Sequence, residues 1–289
     1  AQLYFDLLTR LPALPAVRKG KRHPPGPGKG RATRLLVEER RRRILELLDD
    51  QERVTVEELV ARFSVSAVTI RADLDALAGL GAVVRSHGGA LKRGDAPEDV
   101  PITVKETLHH AEKVRIGHAA AQMIQDGETI MLDSGTTTAE IARQIRFLRL
   151  RSLNVITNAL NIAMELANLP HIRLIMIGGV LRQMSYSLAG PPAEATLRGL
   201  HADRLFLGVD GLAPEIGVMA PDVVEAQLNA VMIQVSREVV VVADTSKFQR
   251  RSLSVIAKLD AVHKLITDSG PNPEVLQALR ARNIEVIVV

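Results

Sequence analysis

Residues 129–145 read TIMLDSGTTTAEIARQI, and the way this stretch divides decides the fold. Thr129 to Leu132 is an apolar run of strand length, DSGTTT is a turn of small polar residues, and AEIARQI has the apolar spacing of a helix. Strand, glycine-containing turn and helix together open a βαβ unit. The alternation continues outward. Further strands are expected at Asn154–Thr157, Arg173–Ile177, Arg204–Gly208, Val239–Ala243, His263–Thr267 and Glu285–Val288, with the first widened to Glu128–Leu132. Helical patterns fall between most of them, at Ala139–Arg146, Ala159–Ala167, Pro192–Leu200, Ala220–Ser236 and Pro273–Ala281, and one long helix, Ile102–Gln125, precedes the first strand. Repeated strand and helix units predict an α/β body with a mainly parallel sheet.

Composition agrees. Aromatic residues make up only 2% of the chain against 46% hydrophobic, so Val, Ile, Leu and Ala must build the core, as they do in a sheet covered on both faces by helices. Cysteine is absent, which excludes disulfides, thiol catalysis and cysteine zinc sites and fits a reducing cytosol. No apolar run reaches the length of a membrane span, so a cytoplasmic protein with no membrane partner is expected.

In parallel sheets ligands bind beyond the carboxyl ends of the strands. The residues there are small and polar: DSGTTT after the first strand, Thr157 and Asn158 after the second, and Gly178 and Gly179 after the third. GVDG (208–211) and DTSK (244–247) follow later strands. The chemistry of DSGTTT is specific. Gly135 lets backbone approach closely, Thr136 to Thr138 offer hydroxyls, and the following helix directs free N–H groups and its positive end at an anion. The competing reading is a tight turn that only caps the helix; Lys247 alone would be a surface lysine, and Asp133 alone a cap or a partner for sugar hydroxyls. The candidate effector set is Asp133, Gly135, Thr136, Thr137, Asn158, Gly179, Asp210, Gly211 and Lys247. His109 and His110 are adjacent on a helix and face different ways, and the other histidines lack zinc-motif spacing, so neither a metal nor another cofactor is expected.

The first third of the chain reads differently. Residues 1–34 are rich in basic residues, Pro and Gly, and read as a disordered basic leader; Asp6 and the PPGPG run fit a transit peptide poorly. The net charge of +4 lies at this end, since residues 1–95 carry 18 Lys and Arg against 12 Asp and Glu. Eight of those 18 belong to the leader, so charge alone does not argue for nucleic acid. Position does. VEERRRRILELLDD sets Val37, Ile44, Leu47 and Leu48 on one helical face with the arginines outside it. Thr55 and Glu58 have capping-box spacing before Val56, Leu59, Val60 and Phe63, and Ser64 and Val65 make a break. Ser66 is placed to cap a third helix with apolar positions at Val68 or Ile70, Leu74 and Leu77. Gly79 and Gly81 stop it, and AVVRSHGGAL reads as two short strands around His87, Gly88 and Gly89.

Three helices with a tight break and a wing make a winged helix-turn-helix over residues 35–91, joined by a charged linker, 92–101, to the body at 102–289. The third helix would enter the major groove with Ser66, Thr69 and Arg71 near its leading half, while Arg85 and His87 approach the backbone or minor groove. The bland alternative is a solvated polar face. Arg40 to Arg43 are read as solvent-facing, with a phosphate-tracking role as the second choice.

FSVSAVTIRADL and RSHGGAL, within residues 38–91, resemble the winged helix-turn-helix of the DeoR family of bacterial transcriptional regulators. Many members carry a second basic residue after the one matching Arg71; here it is Ala72. From residue 102 onward, DSGTTT, TNALNIA, GGVLR, GVDG and ADTSK match the family's sensor domain in order. The resemblance implies a fold similar to ribose-5-phosphate isomerase and the CoA transferases, and a pocket for a phosphorylated sugar. It implies effector contacts at Asp133, Gly135, Thr136, Thr137, Asn158, Asp210 and Lys247. Asn229 stands where many members have Lys or Arg, and Ala220 where Thr is common. The wording of DSGTTTAEIARQI and GGVLRQMSYSLAG leans toward the branch controlling amino-sugar use, such as N-acetylgalactosamine.

The expectation is therefore a sequence-specific repressor of a carbohydrate-utilisation operon, not an enzyme. Its partners would be operator DNA, a phosphorylated sugar and further copies of itself in a dimer or tetramer. A sugar-phosphate isomerase-like enzyme with an accessory DNA-binding domain is the alternative, because Asp133, Asp210 and Lys247 could supply a base and an oxyanion partner. A structural chromosome-binding protein, supported only by the basic leader, is the third reading.

Overall fold

The computed structural model describes residues 36–51, 53–79, 82–86, 88–92, 100–269 and 273–289. The expected leader, Gly81, His87 and linker residues 93–99 lie outside them.

The first part is built from α1 (Val37–Gln51), β1 (Arg53–Thr55), α2 (Val56–Phe63), α3 (Ala67–Gly79), β2 (Val83–Ser86) and β3 (Gly89–Lys92). Local chemistry sets each junction. The Glu58 amide donates to Thr55 Oγ1 at 3.2 Å while the Thr55 amide donates to Glu58 Oε2 at 2.8 Å, completing the capping box. Ser64 turns the chain at φ 53°, and Ser66 Oγ accepts from the Thr69 amide at 3.1 Å to start α3. Ile44, Leu48, Leu59, Ile70, Leu74 and Leu77 form one buried cluster. Val37 and Val68 stay outside it, at 48% and 72% exposure.

Two features of this part differ from expectation. The wing has three strands in the order β1, β3, β2, because Arg53 to Thr55, just before the second helix, pair antiparallel with Gly89 to Leu91. The arginine run is not simply solvent-facing: Arg40 is buried, its Nε 2.6 Å from Asp73 Oδ2, and Arg41 Nε lies 3.0 Å from Asp73 Oδ1. Half the run thus clamps α1 to α3 through a carboxylate on the inner face of the third helix.

The body opens with α4 (Ile102–Lys105) and α5 (His110–Ala121), two helices where one was expected. His109 takes the left-handed conformation at φ 49° and breaks the run. Then come β4 (Thr129–Leu132), α6 (Thr136–Ile145), β5 (Leu153–Thr157), α7 (Leu160–Leu166), β6 (Ile172–Met176), β7 (Val180–Arg182), β8 (Ser187–Ala189) and α8 (Pro191–Leu197). After them follow β9 (Ala202–Gly208), β10 (Gly211–Ala213), β11 (Gly217–Ala220), α9 (Val223–Gln234), β12 (Ser236–Val242), β13 (Ser254–Ala257), β14 (Lys264–Thr267), α10 (Pro273–Arg280) and β15 (Glu285–Val288).

All seven expected strands enter one parallel sheet, ordered β15, β14, β12, β9, β4, β5, β6. Alternation along the strands divides the core. Leu205, Leu207, Val239, Val241 and Leu265 pack with α8, α9 and α10 on one face, while Ile130, Leu132, Phe206, Val240 and Ile266 pack with α5, α6 and α7 on the other. From β4 the chain first builds outward through β5 and β6, then returns to β9 on β4's other side and builds the opposite way. The order reverses between β4 and β9, and a crevice opens at the carboxyl ends of a parallel sheet at such a switch point.

Candidate functional site

A partly open cleft, lined by polar and apolar groups, occupies that switch point. The turn after β4 supplies Asp133 to Thr137, the turn after β9 supplies Gly208 to Asp210, the 3-10 turn after β12 supplies Lys247, and α9 supplies Glu225 and Asn229. Ile102 and Lys105 of α4, with Met184 and Ser185 from the β7–β8 connection, close the remaining side.

Gly135 is the N-cap of α6, so the amides of Thr136 to Thr138 begin the helix without intrahelical partners and face the cleft end. Thr138 is fully buried and used internally: its Oγ1 accepts from the Gly135 amide at 2.9 Å and lies 3.0 Å from the Asp133 carbonyl. A side chain at Gly135 would meet Thr138 Oγ1 at 2.9 Å, which is why this position is a glycine. Thr136 and Thr137 are therefore the hydroxyls left to the cleft.

Asp133 is 2% exposed, and its Oδ1 is a buried oxygen with no hydrogen-bond partner. Burial pushes its carboxyl up to about 8, against the lowering effect of the Gly208 amide and Thr138. A carboxyl raised this far carries less negative charge beside the positive end of α6 than an ordinary aspartate would. Asn229 Oδ1 is a second orphaned buried oxygen in the lining. Both oxygens are available to a hydrogen-bond donor entering the cleft.

The cations lie opposite. Lys105 Nζ sits 3.0 Å from Asp210 Oδ1 and 3.1 Å from Oδ2. Burial would raise the Asp210 carboxyl, but Lys105 and Lys247 outweigh it and hold it down at about 2. Lys247 is lowered by burial, with Asp210 and Asp244 acting the other way. Lys113, behind α4, is pushed down to about 8 by burial and donates to the carbonyls of Lys105 and Leu108. On the far wall Arg182 Nη1 holds Glu225 Oε2 at 3.1 Å and Ser185 Oγ at 2.9 Å, and Ser134 Oγ donates to Glu225 Oε1 at 3.3 Å.

Of the nine residues proposed from sequence, Asp133, Gly135, Thr136, Thr137, Asp210 and Lys247 line the cleft. Asn158, Gly179 and Gly211 are not in its lining. Asn158 is fully buried, its Nδ2 donating to the Leu188 carbonyl at 3.2 Å, so it ties β8 to the end of β5. Gly179 has φ 137°, and a side chain there would come within 2.6 Å of the Ala189 carbonyl across the β7–β8 hairpin. Gly211 meets the Arg250 carbonyl at the start of β10. Both are glycines for backbone spacing. Ser134, Lys105, Glu225 and Arg182 were missed. Ser134 lay inside the quoted turn; the other three are joined to the site only through contacts distant in sequence.

On the reader, α3 presents Ser66, Val68, Arg71 and Ala72 on its exposed side, with Thr69 half-buried against the Ser66 hydroxyl at 2.8 Å. Arg85 does not project freely: its Nε donates to Asp75 Oδ1 at 2.8 Å and its Nη1 to the Gly89 carbonyl, bracing the wing against α3.

Comparison with known proteins is consistent across both parts. Residues 40–93 match the DeoR-like helix-turn-helix domain and residues 108–269 the DeoR C terminal sensor domain. A protein of Escherichia coli O157:H7, named provisionally as the aga operon transcriptional repressor, is 41% identical over 87% of this chain and 93% of its own length. The glycerol-3-phosphate regulon repressor of Escherichia coli K12 is 34% identical over 84% of this chain and 95% of its own. Among solved structures, ribose 5-phosphate isomerase A of Methanocaldococcus jannaschii aligns at a TM-score of 0.36 and 19% identity, over 48% of this chain and 54% of that one. Among the described residues, no helix is long and apolar enough to cross a membrane. With both matching domains in family order and relatives aligned over most of their length, the chain belongs to the DeoR family of transcriptional regulators.

Proposed function

We propose that this regulator represses a carbohydrate-utilisation operon and leaves its operator when a phosphorylated sugar occupies the cleft at the β4–β9 switch point. The carrying observation is the geometry at Asp133: a buried carboxyl with an unpaired oxygen, pushed up to about 8, beside the α6 N-terminus in a cleft that Lys105 and Lys247 also line. A phosphate placed on the Thr136 to Thr138 amides would face Lys105 and Lys247, the cations that offset the Asp210 and Glu225 carboxylates in the same lining, and sugar hydroxyls would find acceptors in Asp133 and Asn229. One relative's name, for the glycerol-3-phosphate regulon, supports a phosphorylated effector, and the wording of DSGTTTAEIARQI leans toward the amino-sugar branch. Amino-sugar phosphates therefore head the panel to be tested.

The same geometry argues for binding without turnover. Asp210, the carboxylate beside Lys105 and Lys247, is held at about 2 by them and is a weak base for proton abstraction. Operator recognition would use Ser66, Thr69 and Arg71 on α3 with the wing beside them, in a cytoplasmic homo-oligomer whose symmetry sets half-site spacing. A thermal-shift screen of the full chain against sugar phosphates and their unphosphorylated sugars tests the reading. A phosphorylated member should raise Tm, by about 2.7 kcal/mol of stability at 100 times its Kd. Stabilisation by the unphosphorylated sugars alone, or steady conversion of a stabilising sugar phosphate, would overturn it.

A further inference from the structure

The one-turn helix α4 belongs to both halves of the molecule. Val104, 2% exposed, is part of the reader's apolar cluster, and Val100 and Leu108 on either side pack against that cluster. Ile102, 3% exposed, lines the cleft, and its amide donates 2.7 Å to the carbonyl of Met184, another lining residue. Lys105 reaches into the cleft to Asp210. Residues within a single turn are therefore anchored alternately in the cleft and in the reader, and α4 falls between the two matched family segments. Its outer end is fixed too, because Lys113 on α5 holds the Lys105 and Leu108 carbonyls.

We propose that Lys105 is an effector-contacting residue and that its transfer from Asp210 to the bound anion is the step that moves the reader. In the structure Asp210 holds α4 through Lys105. An anion on the α6 N-terminus offers Lys105 a second, doubly charged partner across the same cleft, and a lysine that turns to it pulls α4 with it. Val104 then shifts in the reader's core, where close packing turns a small displacement into a change of arrangement. The inference rests on the anion-cleft reading, and its test separates the two.

The test is amide hydrogen exchange on the full chain with and without inorganic phosphate, at ionic strength matched with sodium chloride. Wild type should gain protection at residues 136–138, reporting occupancy, together with altered exchange in α1 and α3, reporting transmission. Lys105→Met should bind phosphate roughly tenfold or more weakly, and at saturation should show the cleft response without the reader response. Asp210→Asn removes the carboxylate charge that holds Lys105 without an anion, so its reader amides should already exchange, without phosphate, as those of phosphate-loaded wild type do. A reader response to phosphate in Lys105→Met equal to wild type, or an Asp210→Asn reader identical to empty wild type, would overturn the relay alone. Absence of any protection at 136–138 in wild type would overturn the anion cleft itself.

Discussion

The reader and the body solve opposite problems with polar side chains. On the reader, the groups that would meet a partner, Ser66 and Arg71, are exposed, and the buried polar groups, Arg40 and Asp73, satisfy each other. In the body the candidate contacts lie inside a cleft: Asp133, Thr137 and Asn229 are buried, Lys105, Thr136, Asp210 and Lys247 are half-buried, and Asp133 and Asn229 keep oxygens without hydrogen-bond partners. A surface that receives a large, wet polyanion can leave its contacts in solvent, whereas a cleft for a small metabolite must exclude water and hold its desolvated groups until the ligand arrives. The buried Arg40–Asp73 pair braces the reader, whereas the unpaired oxygens of Asp133 and Asn229 are candidates for ligand contact.

The largest effect should come from breaking the reader's internal pair. Asp73→Ala leaves Arg40 buried without its carboxylate and should cost about 3–5 kcal/mol of reader stability. Urea unfolding followed by hydrogen exchange in residues 44–77 would measure it, and a loss below about 1 kcal/mol would mean that α1 and α3 do not depend on the clamp.

Next is the opposite experiment in the body. The folded Asp133 carboxyl lies far above its unfolded value, so the unfolded chain releases this proton first and stability falls as pH rises from about 4 to about 8, then levels. Asp133→Asn should remove that slope and leave the protein more stable at pH 7. Phosphate affinity in wild type should also fall through about pH 8, as Asp133 gains charge and Lys113 loses it. The variant should keep only the lysine's share. An unchanged stability slope in Asp133→Asn would show that the carboxyl is ionised in the fold.

Arg71→Ala should cost about 1–3 kcal/mol of operator binding and leave sugar-phosphate affinity untouched. Equal DNA affinity in a mobility-shift titration would remove this side chain from the interface. The smallest effect belongs to Thr136→Val, which removes one hydroxyl at the α6 N-terminus. The effector should bind a few-fold more weakly, by about 1 kcal/mol, with DNA binding preserved. A normal effector titration would place the phosphate elsewhere in the cleft.

The same contrast explains what the sequence made legible. The inner strands of the parallel sheet are mostly buried and read as apolar runs, and the edge strands β6 and β15 are apolar enough to show as well; all seven were visible. The DSGTTT turn was visible because glycine and threonine between a strand and a helix are chemically distinctive. The short antiparallel sheet of β10, β11 and β13 and the β7–β8 hairpin were not anticipated, since strands of three or four residues carry too few alternations to show a period. The break at His109 was invisible for a related reason: no glycine or proline marks it, and only tertiary packing holds a histidine at φ 49°. Arg40 with Asp73, and Lys105 with Asp210, are partnerships across 33 and 105 residues that no local pattern announces. Local chemistry revealed where an anion could sit, and long-range pairing revealed what that site is tied to.

The most direct test of the account is the affinity of the full chain for a DNA site selected by the protein itself from random sequence, with and without a saturating phosphorylated sugar that stabilises it. Occupancy of the cleft should weaken operator binding by about 5- to 150-fold, a coupling of ~1–3 kcal/mol, and the unphosphorylated sugar should have no effect. Identical operator affinity with the cleft filled and empty would contradict it.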